Sequence, residues 1–195
     1  REMGRAGVQR ALVYSPHAAI FDSGEGNRSL MDTIRGSDDF LPQFVCNPSF
    51  DDLAEIAAHA DAEGVRSVRM FPGLHNYPFR PWVIGPWLDW IAETGIAVWL
   101  PAEFELLGPL PGINPIDPRD VHDTLSERPD VRAVLCEAKY NDASWALPLV
   151  RSLPNLDFEV SRFVPGGGLT STIDAIGPER VLFGSRFPDA AISPQ

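Results

Sequence analysis

The sequence predicts an α/β fold, a (β/α)8 barrel, and two observations carry that reading. Short runs rich in Val, Ile, Leu and Phe alternate with amphipathic, helix-like segments along the whole chain. The runs recur at intervals of roughly 30 residues, the length of one strand–helix repeat in a parallel sheet. Seven such units are one short of a complete barrel, which typically takes about 250 residues. The chain has 195 residues and begins at Arg1. A single barrel domain over 1–195 that lacks its first β/α unit, and is incomplete at the N-terminus, accounts for both facts. A doubly wound open sheet is the alternative. That fold favours a Gly-rich phosphate loop after the first strand, and Ser15-Pro16-His17 offers none.

The expected strands are Ala11–Ser15, Gln43–Cys46, Val65–Phe71, Ile96–Leu100, Val131–Cys136, Leu156–Ser161 and Val181–Gly184. Each is strand-length and apolar, as strands covered on both faces are. The expected helices lie between them. Asp51–Glu63 opens on acidic residues and stops at Gly64. Pro86–Thr94 ends at Gly95. Asp117–Glu127 opens with Asp-Pro and closes before Pro129. Ala143–Ser152 precedes Pro154, and Leu169–Ile176 stops at Gly177. The Gly-Gly-Gly at 166–168 is a loop rather than a domain boundary.

Composition narrows the function classes. The hydrophobic fraction is 44% and the charged fraction 22%, ordinary values for a globular chain. A net charge of -11 argues against a nucleic-acid partner, which needs a basic face. No run reaches the roughly 18 apolar residues of a membrane span, and no signal peptide is expected. Cys46 and Cys136 each sit inside an apolar run, as buried thiols do, so a reducing, cytoplasmic setting is expected.

Several stretches share a pattern with one known family. They are "MGRAGVQRALVYSP" (Met3–Pro16), "FVCNP" (Phe44–Pro48), "GVRSVRMFPGLHNY" (Gly64–Tyr77) and "ETGIAVWL" (Glu93–Leu100). "RPDVRAVLCEA" (Arg128–Ala138), "PNLDFEVS" (Pro154–Ser161) and "GPERVLFGSRFP" (Gly177–Pro188) complete the set. In this order they resemble the amidohydrolase-related branch of the amidohydrolase superfamily, a group of metal-dependent hydrolases, lactonases and decarboxylases. The last stretch is the most specific, because the family's eighth strand ends in "LFGSDFP" and its Asp binds a catalytic metal.

The resemblance implies a site at the C-terminal mouth of the barrel, with a divalent metal such as zinc. Its ligands are a His-x-His pair on the first strand, a His on the fifth, a His on the sixth and the Asp on the eighth. Matched residue by residue, Pro101 stands at the fifth-strand position, Glu137 at the sixth and Arg186 at the eighth. A guanidinium has no lone pair to offer a cation, and catalytic zinc takes about three protein ligands. No metal is therefore predicted.

Strict alternation puts Leu135, Glu137 and Lys139 on one face of the sixth strand, and Leu182, Gly184 and Arg186 on one face of the eighth. With both faces inward, Arg186 and Glu137 are expected to meet near the former metal centre. His75, in a Gly-bounded turn after the fourth strand, is the candidate acid or base, beside Glu137. A loop His held by a backbone carbonyl is the alternative for His75, and the favoured reading for His17. Arg69, Arg162 and Arg186 near strand ends, with His17 and Tyr77, are the candidate substrate-binding residues. Lys139, the only lysine, is expected to be a solvated loop residue. Tyr77, Phe79, Trp82, Trp87 and Trp90 cluster after the fourth strand and either line a pocket or pack a helix. The implied function is a hydrolase acting on a small anionic ligand, a carboxylate, with no nucleic-acid or membrane partner and a possible homo-oligomer. A non-catalytic small-molecule-binding or scaffold barrel, and a decarboxylase-type lyase, are the other readings.

Overall fold

In a computed structural model of the chain, residues 2–104, 114–163, 167–185 and 187 are described. After a short first turn, α1 (Glu2–Arg5), strand β1 (Ala11–Val13) leads into α2 (Pro16–Ile20) and α3 (Ser23–Ile34). Strands β2 (Phe40–Pro42) and β3 (Phe44–Cys46) follow, separated only by Gln43. Then come α4 (Leu53–Ala62), β4 (Ser67–Met70), α5 (Pro72–His75), α6 (Pro81–Thr94), β5 (Ala97–Pro101), α7 (Pro118–Ser126) and β6 (Ala133–Cys136). A 3-10 turn at Tyr140–Asp142, α8 (Ala143–Ser152), β7 (Leu156–Glu159), α9 (Gly168–Ile176), a second 3-10 turn at Pro178–Arg180 and β8 (Val181–Leu182) are the remaining elements among the described residues.

All pairings are parallel. β1 pairs with β2, and β3 to β8 form one six-stranded sheet in sequence order. Gln43 N donates to Val13 O at 2.8 Å, so β2 and β3 act as one strand whose first half faces β1 and whose second half faces β4. This is the strand order of a β/α barrel wall. The seven expected strands are all present. The strand expected to start at Gln43 begins earlier, at Phe40.

The helices differ more. Helix α3 was not among the expected elements. Its buried face is Ser23, Gly26, Asn27, Leu30 and Ile34, too polar for an apolar stripe to reveal it. Asp22 caps it by accepting from Glu25 N at 2.6 Å. Asn27 then fastens it to the sheet, because its side-chain amide donates to Val45 O and accepts from Val45 N, each at 2.9 Å. Helix α6 begins at Pro81, five residues before the expected start. Pro86 is tolerated inside it because it lies on the exposed face, where water can serve the carbonyl left without a donor. Trp87 is buried in the core and stacks edge-on against Trp90, so both pack helix on sheet, whereas Trp82 is exposed.

One core fills the space between sheet and helices. Phe44, Val68, Met70, Val98, Leu100, Ala133, Leu135, Leu156 and Phe158 supply the sheet side, and Ile56, Ile84, Leu88, Ile91, Leu125 and Val150 the helix side. At the N-terminal ends of the strands two side chains collect exposed carbonyl oxygens. Asn155 Nδ2 reaches Leu125 O, Arg128 O and Val131 O at 3.2, 2.9 and 3.0 Å. Arg180 Nη2 reaches Val150 O at 2.7 Å, Leu153 O at 2.6 Å and also Leu156 O. No helix among the described residues is long and apolar enough to cross a membrane.

Candidate functional site

Alternation along β4 sends Val68 and Met70 into the helix-facing core and Ser67 and Arg69 to the other face. Arg69 is 7% exposed and becomes the centre of a polar cluster at the C-terminal ends of the strands. Its Nε donates to Gln43 Oε1 at 2.6 Å and its Nη1 to Glu137 Oε1 at 2.5 Å. Gln43 is itself oriented by donating to Ser67 Oγ at 2.7 Å. The guanidinium carbon lies 4.4 Å from the centre of the Tyr14 ring and 5.6 Å from that of Trp99, cation–π distances. Nη2 donates to no described residue. Burial opposes the charge of Arg69, but Cys136, Glu137, Tyr14 and Glu159 more than offset it, so its pKa is raised.

Glu137 reaches this cluster by a route that alternation does not supply. Leu135 packs in the helix-facing core, so a regular strand would carry Glu137 the same way. Instead Glu137 has φ +57, the left-handed region that non-glycine residues seldom enter. The turn re-aims its carboxylate toward Arg69. The expected shared face of Leu135, Glu137 and Lys139 is thus corrected: the strand ends at Cys136 and the register is broken there. The described partner of Glu137 is Arg69. Arg186, expected to hold that place, lies outside the described residues.

Glu159, at the end of β7, is the second carboxylate. It is 3% exposed. It accepts from Ser161 N at 2.6 Å, Ser161 Oγ at 2.9 Å and Glu137 N at 3.3 Å. Burial raises its pKa against these hydrogen bonds and against nearby Arg69. Gly184, in the distinctive stretch after β8, makes the space. A Cβ there would stand 1.7 Å from Glu159 Oε1 and 2.5 Å from its carboxyl carbon.

His75 belongs to a different cluster. Its Nε2 lies 2.8 Å from Ala19 O and so carries the proton, while Nδ1 is buried without a described partner. Burial lowers its pKa, against the Ala19 carbonyl and Asp51. The Phe71 ring touches both regions, with its centre 5.8 Å from the His75 ring and 6.0 Å from the Arg69 guanidinium carbon. His75 makes none of the hydrogen bonds of Arg69. Tyr77 is 6% exposed, with its hydroxyl buried beside the Phe71 backbone. Asp51 completes this second group, accepting from Asn47 N at 2.6 Å and from Ser23 Oγ.

The remaining candidates scatter. His17 lies on α2 beside Glu25, 3.7 Å from its Oε2, with both side chains largely exposed. Arg162 follows β7 and is half-buried. Lys139 Nζ pairs with Glu103 Oε2 at 2.6 Å, which makes it a partly buried ion pair rather than a solvated loop residue. Of the expected site residues, then, the structure brings Arg69 and Glu137 together, and sets His75 and Tyr77 in their own group. Sequence reasoning missed Gln43, Glu159, Tyr14 and Trp99. A polar residue inside an otherwise apolar strand run, as in Pro42-Gln43-Phe44 and Phe158-Glu159-Val160, was the available signal.

A divalent metal does not fit the described residues. No three of their His, Cys, Asp and Glu side chains come together. Pro101, which ends β5 and is buried, has no donor atom on its side chain. Glu137 and Gln43 already direct their oxygens at the guanidinium of Arg69.

Comparison with known proteins gives the lineage. No curated protein matches the sequence. An uncharacterised TIM-barrel protein from Bordetella bronchiseptica has a similar structure, with TM-score 0.71 and 18% identity over 98% of this chain and 69% of that one. The 5-carboxyvanillate decarboxylase of Sphingomonas paucimobilis aligns with TM-score 0.69 and 16% identity, covering 97% of this chain and 72% of that one. The 5-carboxyvanillate decarboxylase of Novosphingobium aromaticivorans, with bound manganese and 3-methoxy-4-hydroxy-5-nitrobenzoic acid, aligns with TM-score 0.70 and 13% identity, covering 97% and 70%. Identities this low establish the fold alone. The sequence itself matches the amidohydrolase family model over residues 6–191, nearly its whole length, and the chain therefore belongs to the amidohydrolase family.

Proposed function

We propose that this chain binds a small carboxylic acid at the mouth of its barrel, on Arg69, and acts on it as a hydrolase. One observation carries the reading. Arg69 is almost fully buried among Tyr14, Trp99 and Phe71, yet the two N–H groups of its Nη2 serve no described residue. A guanidinium edge that serves no described residue is a strong recognition element for a planar carboxylate. The surrounding rings suit a ligand with an apolar body.

The group best placed for acid–base work is Glu159 rather than His75, because it belongs to the same hydrogen-bonded network as Arg69 and Glu137. Its raised pKa brings it nearer the range useful for proton transfer. In hydrolysis it would take the proton of the attacking water. A decarboxylase is the second reading, favoured by the two 5-carboxyvanillate decarboxylases among the similar structures. There Glu159 would deliver the proton that replaces the departing carbon dioxide. The two buried free cysteines suit a reducing compartment, and with it a cytoplasmic setting.

Calorimetric titration with benzoate and short aliphatic dicarboxylates tests the binding step. Arg69→Gln should weaken the best ligand by about 2 kcal/mol or more, the size of a lost charged hydrogen bond. Equal affinity in the two proteins rejects the site. Carbon dioxide release separates decarboxylation from hydrolysis, and a bound acid that is never converted identifies the non-catalytic barrel.

A further inference from the structure

The oxygen atoms at the barrel mouth converge on a cation that the chain itself carries. Gln43 Oε1 and Glu137 Oε1 accept directly from the guanidinium of Arg69, and the carboxylate of Glu159 lies close enough to raise its pKa. A carboxylate and an amide oxygen on one positive centre, with the second carboxylate hydrogen-bonded to Glu137 N beside it, is the donor chemistry of a hard divalent ion. Here the centre is a guanidinium anchored on β4. Building it requires two unusual backbone features. Glu137 adopts a left-handed conformation to aim its carboxylate, and Gly184 lacks the Cβ that would displace Glu159. Both features serve the Arg69 cluster, and neither serves the apolar core.

We infer that Arg69 is an internal cation in place of a divalent metal, so that the mouth of this barrel is assembled, and holds its ligand, without a metal ion. The inference rests on the reading of the mouth as a carboxylate site only for its second half. The charge balance follows from the geometry. Arg69 neutralises Glu137 directly, and the three N–H and O–H donors around Glu159 stabilise its carboxylate in the absence of a second cation. A divalent ion entering the cluster would meet a buried positive charge within hydrogen-bonding distance of two of its three oxygen ligands, a repulsion that low local dielectric strengthens. The tethered guanidinium also differs from an ion in being unable to dissociate, and in offering directed N–H groups rather than a spherical charge.

Metal retention on the wild-type protein tests the first half directly. The protein is loaded with excess manganese or zinc, dialysed without chelator and analysed for bound metal. Well under one ion per chain is expected, and stoichiometric metal that protects the fold against heat overturns the inference. In Arg69→Ala the place of the guanidinium is vacated. Methylguanidinium should then raise the melting temperature of the variant while methylammonium does not, because only the former reproduces the fork. An equal effect of the two ions counts against the inference. If Arg69→Ala does not fold, the wild-type metal measurement decides alone.

Benzoate titration of chelator-treated wild-type protein, with and without added manganese, tests the second half. Affinity unchanged by the metal is expected, and a ligand that binds only when manganese is supplied overturns the inference. Absence of carboxylate binding under both conditions instead rejects the reading of the mouth, and leaves the metal result to judge the internal cation.

Discussion

The two faces of the same strands are chemically opposite. The face toward the helices is apolar throughout: Val68 and Met70 on β4, Val98 and Leu100 on β5, Ala133 and Leu135 on β6, Leu156 and Phe158 on β7. The inner face carries Ser67 and Arg69, Trp99, Cys136 and Glu159, joined by Gln43 between β2 and β3. The outer face is held by burial, which is tolerant of direction and needs only complementary volume. The polar part of the inner face is held by directed hydrogen bonds, where buried groups depend on particular partners, beside an apolar patch of Val45, Phe71, Phe104, Ala18 and Ala19. The difference separates what makes this chain a barrel from what makes this barrel distinct.

The largest effect that breaks the comparison is expected on the outer face. Phe158→Ala removes a fully buried ring and should cost about 3–5 kcal/mol in denaturant unfolding. The affinity of the folded fraction for a carboxylate should be unchanged. If the affinity falls with the stability, the two faces are not independent.

Gly184→Ala probes the inner face. The added methyl must push the Glu159 carboxylate from its donors and should cost about 2–3 kcal/mol. The cost should shrink in the Glu159→Ala background, because the obstructed carboxylate is gone. Strict additivity of the two substitutions would show that Gly184 matters for some other reason.

The smallest effect sharpens the comparison within the polar groups. Burial lowers the pKa of His75, so the unfolded chain binds its proton more readily than the folded one. Wild-type stability from this group is complete above the ordinary histidine value of 6.5 and is lost as pH falls through and below it. In His75→Gln this component of the pH dependence should vanish, as measured by unfolding at a series of pH values. A variant with the wild-type slope would assign that slope to other groups.

The outer face was legible in the sequence, and the inner one only in part. Apolar runs located all seven strands, because strands covered on both faces stand out by composition. The position of Glu137 near the mouth was legible from the family pattern, but its partner was not. Alternation predicts side-chain direction only while the backbone stays extended, and the left-handed turn at Glu137 ends that condition one residue after Cys136. Glu159 was hidden for a different reason, since one carboxylate in an apolar strand carries no mark of what it will face. Gly184 was recognised as part of a distinctive stretch, while its physical reason, the carboxylate against its α-carbon, needed three dimensions. Helix α3 escaped because three of its five buried residues, Ser23, Gly26 and Asn27, are polar or small, with Asn27 mimicking a peptide group beside Val45.

Asn155 and Arg180 have a consequence beyond the carbonyl oxygens they gather. Both act at the N-terminal pole of the strands, the pole that in such barrels serves stability, whereas Arg69, Glu137 and Glu159 act at the opposite pole. Each ties together the end of one helix and the start of neighbouring strands with one side chain. Rigidity is thereby concentrated away from the pole that carries Arg69, Glu137 and Glu159. A chain organised this way has room to drift at one pole, exchanging one charge arrangement for another, while the other pole keeps the barrel wall in register.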